Sequence, residues 1–196
     1  MELSLPLQLH SMSLRAPDPS LCKPLQEALN ASYVAHFEFL PWARSHTSED
    51  EARAFLLRAA DDFNSETGER RLFIVADDGQ AVIGCIGLKP RRRNRYVVGY
   101  WANTEYSGKG YMRRALELLV KSLPGCTFYL TTSSANGASQ QMAKASGFEL
   151  IRMARQARHS ECHGVQDTYL YRLKLPQEIK QQAKKSPREG GQTVVS

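Results

Sequence analysis

Hydrophobic and polar positions divide the chain into alternating α and β segments. Leu7 to Ala16 alternates roughly with period two, as a strand does, and residues 17–39 carry one or two helices. Residues 45–65 make a stronger helix. Ala52, Phe55, Leu56, Ala59 and Phe63 fall on one face, and Ser48 with Glu51 forms a capping-box pattern at its start. Arg71 to Pro90 reads as a hairpin turning at Asp78-Gly79, and a basic turn, Arg91 to Arg95, leads into a third strand, Tyr96 to Ala102. Met112, Leu116, Leu119, Val120 and Leu123 then repeat at helical spacing until Pro124-Gly125 stops them. A short buried strand (127–132), a short helix (135–148) and a final strand (Asp167 to Leu175) complete the pattern, with no internal repeat. This gives a domain over residues 1–175 and a tail over 176–196. The tail is rich in Gln, Lys and Gly, and is expected to be basic, polar, mobile and dispensable for the domain.

Composition narrows the class. The 196 residues, 42% hydrophobic and 23% charged, suit one globular domain with a real core. No apolar run approaches the roughly 18 residues of a membrane span, and the start lacks the pattern of a signal peptide, so a cytoplasmic protein without membrane contact is expected. Cys22, Cys85, Cys126 and Cys162 are too scattered for a disulfide scaffold. The net charge of +6 suits phosphate-bearing or acidic partners but does not separate a cofactor from RNA.

The candidate chemistry lies where the third strand meets the following helix, in "GYWANTEYSGKGYMRRAL" (Gly99 to Leu116). A glycine-rich loop that turns at once into helix offers unpaired backbone N–H groups to an anion. Two common phosphate patterns fail. The P-loop would need glycine where Asn103 stands and Ser or Thr where Gly110 stands; the dinucleotide fingerprint would need glycine at Arg113. The N–H groups from Gly108 to Met112 can still wrap a pyrophosphate, with Lys109 or Arg113 adding charge.

"EYSGKGYMRRAL" resembles the acetyl-CoA signature of the GNAT acetyltransferases, with Gly110 at its invariant glycine. Ser107 departs at the first position and Met112 at the last, where Met is familiar in the ribosomal-protein N-terminal acetyltransferase (RimJ/RimL-like) branch. "NGASQQMAKASGFEL" resembles the same branch's Asn-x-x-Ser segment, with Asn136, Ser139, Gly147 and Phe148 in register, Met142 for the usual Leu, and Lys144 at a position that is often basic. "EFLPWA" resembles its tryptophan segment near the acceptor, which makes Trp42 a substrate-binding candidate. The order of segments follows the family over about residues 7–175.

The resemblance implies an α/β fold with a mixed, mostly antiparallel central sheet, flanked by helices and splayed at an acetyl-CoA slot. The strand of Tyr100, Trp101 and Ala102 would pair with pantetheine there. Ser107, Gly108, Lys109, Gly110, Tyr111 and Met112 would surround the pyrophosphate, and Asn136, Ser139 and Lys144 would complete the cofactor site. Asn136 equally reads as a plain helix cap. Ser139 is the catalytic candidate, its hydroxyl protonating the leaving thiolate. The implied reaction is direct attack of a neutral primary amine on acetyl-CoA in a ternary complex, by a monomer or homodimer.

The acceptor is open at this level: the N-terminal α-amino group of a protein, or a small molecule such as an antibiotic, polyamine or amino acid. A non-enzymatic RNA- or ribosome-binding module is the remaining alternative, using Arg91 to Arg95 and the tail. No general base stands out. Val97 and Val98 occupy the strand position where many members carry Glu, and Glu38, Glu105, Glu161, His159, Asp167 and His36 are scattered alternatives. No cysteine lies beside the motifs with an activating partner, which argues against a covalent acyl-enzyme. His159, Cys162 and His163 cluster, but a structural zinc site needs four ligands, so a loop between the last two strands is expected and no metal.

Overall fold

In the computed structural model, residues 5–177 are described. The strands are β1 (Leu7–Leu9), β2 (Met12–Arg15), β3 (Arg70–Ala76), β4 (Val82–Arg92), β5 (Arg95–Ala102), β6 (Thr127–Ser133), β7 (Glu149–Ser160) and β8 (Gly164–Lys174). The helices are α1 (Cys22–Ala31), α2 (Tyr33–Phe37), α3 (Glu49–Asn64), α4 (Tyr111–Lys121) and α5 (Gly137–Ala145). All eight strands form one sheet in the order β1-β2-β3-β4-β5-β6-β8-β7. Only β5 and β6 run parallel, so the sheet is mixed and mostly antiparallel, as expected.

Helices cover both faces, which explains the unbroken apolar run in β3. Leu72 and Ile74 face a core with Leu116 and Leu119 of α4, while Phe73 and Val75 face Leu25 of α1 and Leu56 of α3. A strand covered on both sides loses the polar alternation of a half-exposed one. Burial of each such Leu contributes about 1.5–3 kcal/mol relative to leaving it in water. The capping box of α3 is present: Ser48 Oγ accepts from Glu51 N at 3.2 Å, and Glu51 Oε2 accepts from Ser48 N at 2.8 Å.

Two expectations need correction. The single strand expected over Leu7 to Ala16 is a hairpin, with Leu7 paired to Leu14 and Leu9 to Met12. The apolar phase shifts from odd to even positions between Leu9 and Met12, and that shift marks the turn. The loop expected around His159 to His163 is also shorter: β7 runs through Ser160, leaving only Glu161 to His163 to turn the chain. β7 is an edge strand with most positions exposed, so it carries little apolar signal. Pro176 and Gln177 follow β8; the rest of the tail lies outside the described residues. Among the described residues no helix is long and apolar enough to cross a membrane.

The feature that positions the site is a divergence within the sheet. β5 and β6 pair only through Arg95–Val97 against Thr127–Tyr129, leaving Val98 to Ala102 without a partner on that edge. Parallel neighbours that separate in this way leave a slot lined by unpaired backbone.

Candidate active site

The loop after β5 is built around Asn103. Its side chain accepts from Glu105 N at 3.1 Å and donates to Val82 O at 3.1 Å, anchoring a short 3-10 turn over Thr104–Tyr106. Ser107 closes the turn through its N–H to Thr104 O (3.1 Å), and its hydroxyl donates to Asn103 O (3.4 Å). Gly108 (φ +76) and Gly110 (φ +74) are both left-handed, and no atom lies within 4 Å of where a Cβ would stand. The backbone conformation, not crowding, selects glycine here. Gly110 caps α4 without any side-chain hydrogen bond, so the N–H groups that open α4 at Tyr111 and Met112 point outward beside an unobstructed glycine loop. Lys109 Nζ lies 3.4 Å from Glu105 O and 5.3 Å from the Tyr106 ring centre, at the rim of this cradle. Met112 packs over β4, its Sδ within 2.6 Å of where a Cβ on Gly84 would stand.

The slot runs along the open edge of β5. The Trp101 carbonyl faces β4, where it lies 2.5 Å from a Cβ built on Gly84. Backbone groups alternate sides along a strand, so Tyr100 and Ala102 present theirs to the open edge. The Ala102 carbonyl is already taken, accepting from His36 Nε2 at 2.9 Å. The N–H and C=O of Tyr100 remain available to an extended ligand.

Across the slot stands α5. Asn136 caps it, its Oδ1 accepting from Ser139 N at 2.9 Å, which leaves the Asn136 amide N–H groups for other partners. The Ser139 hydroxyl lies 2.8 Å from the Tyr100 hydroxyl. Lys144 is exposed on the last turn of α5.

On the opposite face of the sheet lies a cavity of about 640 Å³ between α1, α2, α3 and strands β3 to β5. Gly87 and Gly99 sit opposite each other in the β4–β5 ladder and floor it; nothing lies within 4 Å of where a Gly99 Cβ would stand, whereas the Glu69 carboxylate lies over Gly87. Trp42, Trp101 and Phe55 form aromatic walls, with Trp42 49% exposed at the entrance. The two carboxylates lining it are engaged. Glu51 Oε1 accepts from Arg44 at 3.2 Å while its Oε2 serves the cap, and Glu69 Oε2 accepts from Arg71 at 2.7 Å.

The candidate bases separate clearly. His36 lines the cavity, and burial lowers its proton affinity, opposed by the bond to Ala102 O. Glu38 is drawn to the β7–β8 turn, where its Oε2 lies 3.4 Å from His163 Nε2 and the His163 ring stacks on Phe39 at 4.9 Å. Asp167 accepts from Gln156 N (2.9 Å), and Glu105 is exposed on the loop. Cys85 is fully enclosed beside the cavity, and burial pushes its thiol well above the ordinary range, so it is a poor nucleophile.

The structure thus brings Tyr100, Ser139 and Asn136 together at the slot and Gly108 to Met112 at its end, with Trp42 apart on the cavity side. The Tyr100–Ser139 contact and the Glu69–Arg71 pair at the cavity escaped the sequence reading, which named His36 only among scattered candidate bases. The available signal was parity in "VVGYWA": Tyr100 shares a face with buried Val98, toward α4 and α5, and Trp101 takes the other.

Residues 12–149 match the acetyltransferase (GNAT) domain family. No curated protein matches the chain at the level of sequence. Solved structures share the fold at low identity. The microcin C7 self-immunity acetyltransferase MccE, in complex with acetyl-CoA and AMP, is 19% identical with a TM-score of 0.74, over 85% of this chain and 94% of its own. The ribosomal L7/L12 alpha-N-protein acetyltransferase RimL, in complex with coenzyme A, is 19% identical with a TM-score of 0.74, over 85% and 96%. The ribosomal-protein-S5-alanine acetyltransferase of Vibrio fischeri is 18% identical with a TM-score of 0.75, over 87% and 97%.

Proposed function

The chain belongs to the GNAT acetyltransferase family and is an acetyl-CoA-dependent N-acetyltransferase; we propose that its acceptor is a primary amine carried on an apolar body, such as the N-terminal residue of a protein. The observation that carries this reading is the cavity opposite the slot, with aromatic walls, a floor left open at Gly99 and no carboxylate left unpaired.

The charge of the cavity discriminates among amines. A polyamine or a polycationic antibiotic carries several ammonium groups that need carboxylate partners once water is removed. Here Arg44, Arg58 and Arg71 stand against Glu51 and Glu69, and both acids already serve an arginine. An α-amino group titrates near ~8 and lysine near ~10.4, so an N-terminus offers far more neutral nucleophile at neutral pH. RimL is named for a ribosomal-protein α-amino acceptor and the Vibrio fischeri enzyme for a ribosomal-protein alanine, which agrees with this reading. Arg91 to Arg95 close the β4–β5 hairpin about four residues, or ~13 Å, beyond Gly87 and Gly99, and form an exposed basic rim suited to ribosomal RNA or another anionic partner.

The residues present fit acetyl-CoA, which supplies the acetyl group activated as a thioester. N–H groups from Gly108 to Met112 hold the pyrophosphate at the start of α4, with Lys109 and Ser107 at its rim. Tyr100 pairs its backbone with the pantetheine arm beside Trp101 and Ala102, the Asn136 amide donates to it from α5, and Lys144 lies farther along the same helix. Trp42 and Trp101 pack on the acceptor and keep water from the reacting nitrogen. With acetyl-CoA bound, the Ser139 hydroxyl would be placed to donate to the departing thiolate sulfur, and the proton lost by the attacking amine would restore the serine. Enclosure of Cys85, the cysteine that lines the cavity, favours direct transfer over an acyl-cysteine there.

A thiol-release assay with acetyl-CoA tests the acceptor class. Peptides with free apolar N-termini should turn over at least tenfold faster than spermidine-like polyamines or aminoglycosides. Preference for the polycations would overturn the reading.

A further inference from the structure

Tyr100 and Ser139 are held across the slot from its two sides, one on the unpaired end of β5 and the other on the first turn of α5. The Tyr100 hydroxyl has one proton and two neighbours, Ser139 Oγ at 2.8 Å and the Ser139 carbonyl at 3.2 Å. The carbonyl belongs to a helix, where it accepts from the N–H four residues on. The hydroxyl oxygen is closer and otherwise unclaimed, so it is the better acceptor. Ser139 N is fixed in turn by Asn136 Oδ1 at 2.9 Å. Burial pushes the Tyr100 phenol up to about 12, which keeps it protonated and a donor through the neutral range.

These constraints set the direction of one hydrogen. If the phenol donates to Ser139 Oγ, the serine proton is repelled from that side and turns into the slot. A hydroxyl that already accepts a bond is also a stronger donor, because chained hydrogen bonds polarise one another. We propose that Tyr100 is a positioning residue whose hydroxyl orients Ser139 so that the serine proton faces the sulfur leaving acetyl-CoA. The inference rests on the reading that Ser139 serves the leaving thiolate. The Tyr100 hydroxyl acts on the leaving thiolate only through Ser139. The contact is not a helix cap, because Asn136 already performs that task, and loss of the phenol hydroxyl leaves the packed ring in place.

The test uses Tyr100→Phe, Ser139→Ala and the double variant of the full chain, each first matched to the unaltered protein in melting temperature. Ser139→Ala should lower kcat by about 10²-fold, and Tyr100→Phe by roughly tenfold with KM for acetyl-CoA changed less than twofold, since one oriented hydrogen bond contributes about 1 kcal/mol. The double variant should be no slower than Ser139→Ala, because Tyr100 acts only through the serine. A binding measurement gives an independent readout. By calorimetry, CoA affinity relative to acetyl-CoA should rise with pH as the CoA thiol ionises to thiolate, and both single variants should flatten that rise. Full kcat in Tyr100→Phe alongside an impaired Ser139→Ala would overturn the role of Tyr100 alone. So would a double variant slower than Ser139→Ala by the full Tyr100→Phe factor. Full kcat in Ser139→Ala would remove the serine assignment, and this inference with it.

Discussion

His36 Nε2 donates to the carbonyl oxygen of Ala102 at 2.9 Å, tying α2 to the open edge of β5. A carbonyl oxygen only accepts, so Nε2 carries the proton, and Nδ1 of the neutral ring keeps a lone pair. The ring stands edge-on to Trp42 at 5.7 Å and to Trp101 at 5.5 Å, so one imidazole joins the aromatic entrance of the cavity to the strand that lines the slot. Acceptor side and cofactor side are therefore braced by the same residue.

That arrangement makes stability depend on pH in a defined direction. Burial lowers the His36 pKa below its ordinary value of 6.5, so the unfolded chain binds more protons than the folded one in the window below ~6.5. Stability contributed by neutral His36 is complete above that value and declines as pH falls through it toward the folded pKa. His36→Gln keeps a donor for Ala102 O but does not titrate. Melting curves from pH 7.5 to 5.5 should show a steeper fall for the unaltered protein than for His36→Gln; equal slopes would contradict the burial argument.

Gly110→Val tests the cradle. Valine at φ +74 is strained by about 1–3 kcal/mol, and relief of that strain turns the N–H groups that open α4 away from the pyrophosphate. Acetyl-CoA should raise the melting temperature of the unaltered protein, and the variant should lose at least tenfold in affinity by calorimetry. Unchanged affinity would move the pyrophosphate site elsewhere.

The legibility of these features follows from how local they are. Gly108, Gly110 and the Ser48–Glu51 cap act through backbone geometry within a few residues, so spacing in the chain marked them, while Asn136 and Ser139 were marked by the family resemblance. The cavity draws His36, Trp42, Glu69, Arg71 and Gly99 from separate elements, and no spacing links them. Val97 and Val98 occupy the strand position that would have pointed to a base, and His36, one of several scattered candidates in the sequence, is set apart by its contact 66 residues away. The β1–β2 hairpin was legible in its phase shift but looked like one strand, because both halves place apolar residues at alternate positions, Leu7 and Leu9, then Met12 and Leu14. β7 was weakly marked because an exposed edge needs little apolar patterning.

Gly99→Leu tests the acceptor cavity without disturbing the slot. Its Cβ meets nothing within 4 Å, and it needs no left-handed backbone, so the fold should tolerate the side chain. Leucine would fill the floor between Trp101 and Phe55. Melting temperature and KM for acetyl-CoA should stay close to those of the unaltered protein, while KM for the acceptor peptide rises at least tenfold. An unchanged acceptor KM would place the acceptor elsewhere.

The acceptor assignment meets its most direct test in a single peptide carrying a free apolar N-terminal residue and an internal lysine. After incubation with acetyl-CoA at pH 7, fragmentation mass spectrometry reads which nitrogen bears the acetyl group. The α-amine, near ~8, is the more deprotonated of the two, and its apolar residue suits the aromatic cavity. Acetylation confined to the α-amine is the expected result; acetylation of the lysine side chain with the N-terminus left free would contradict it.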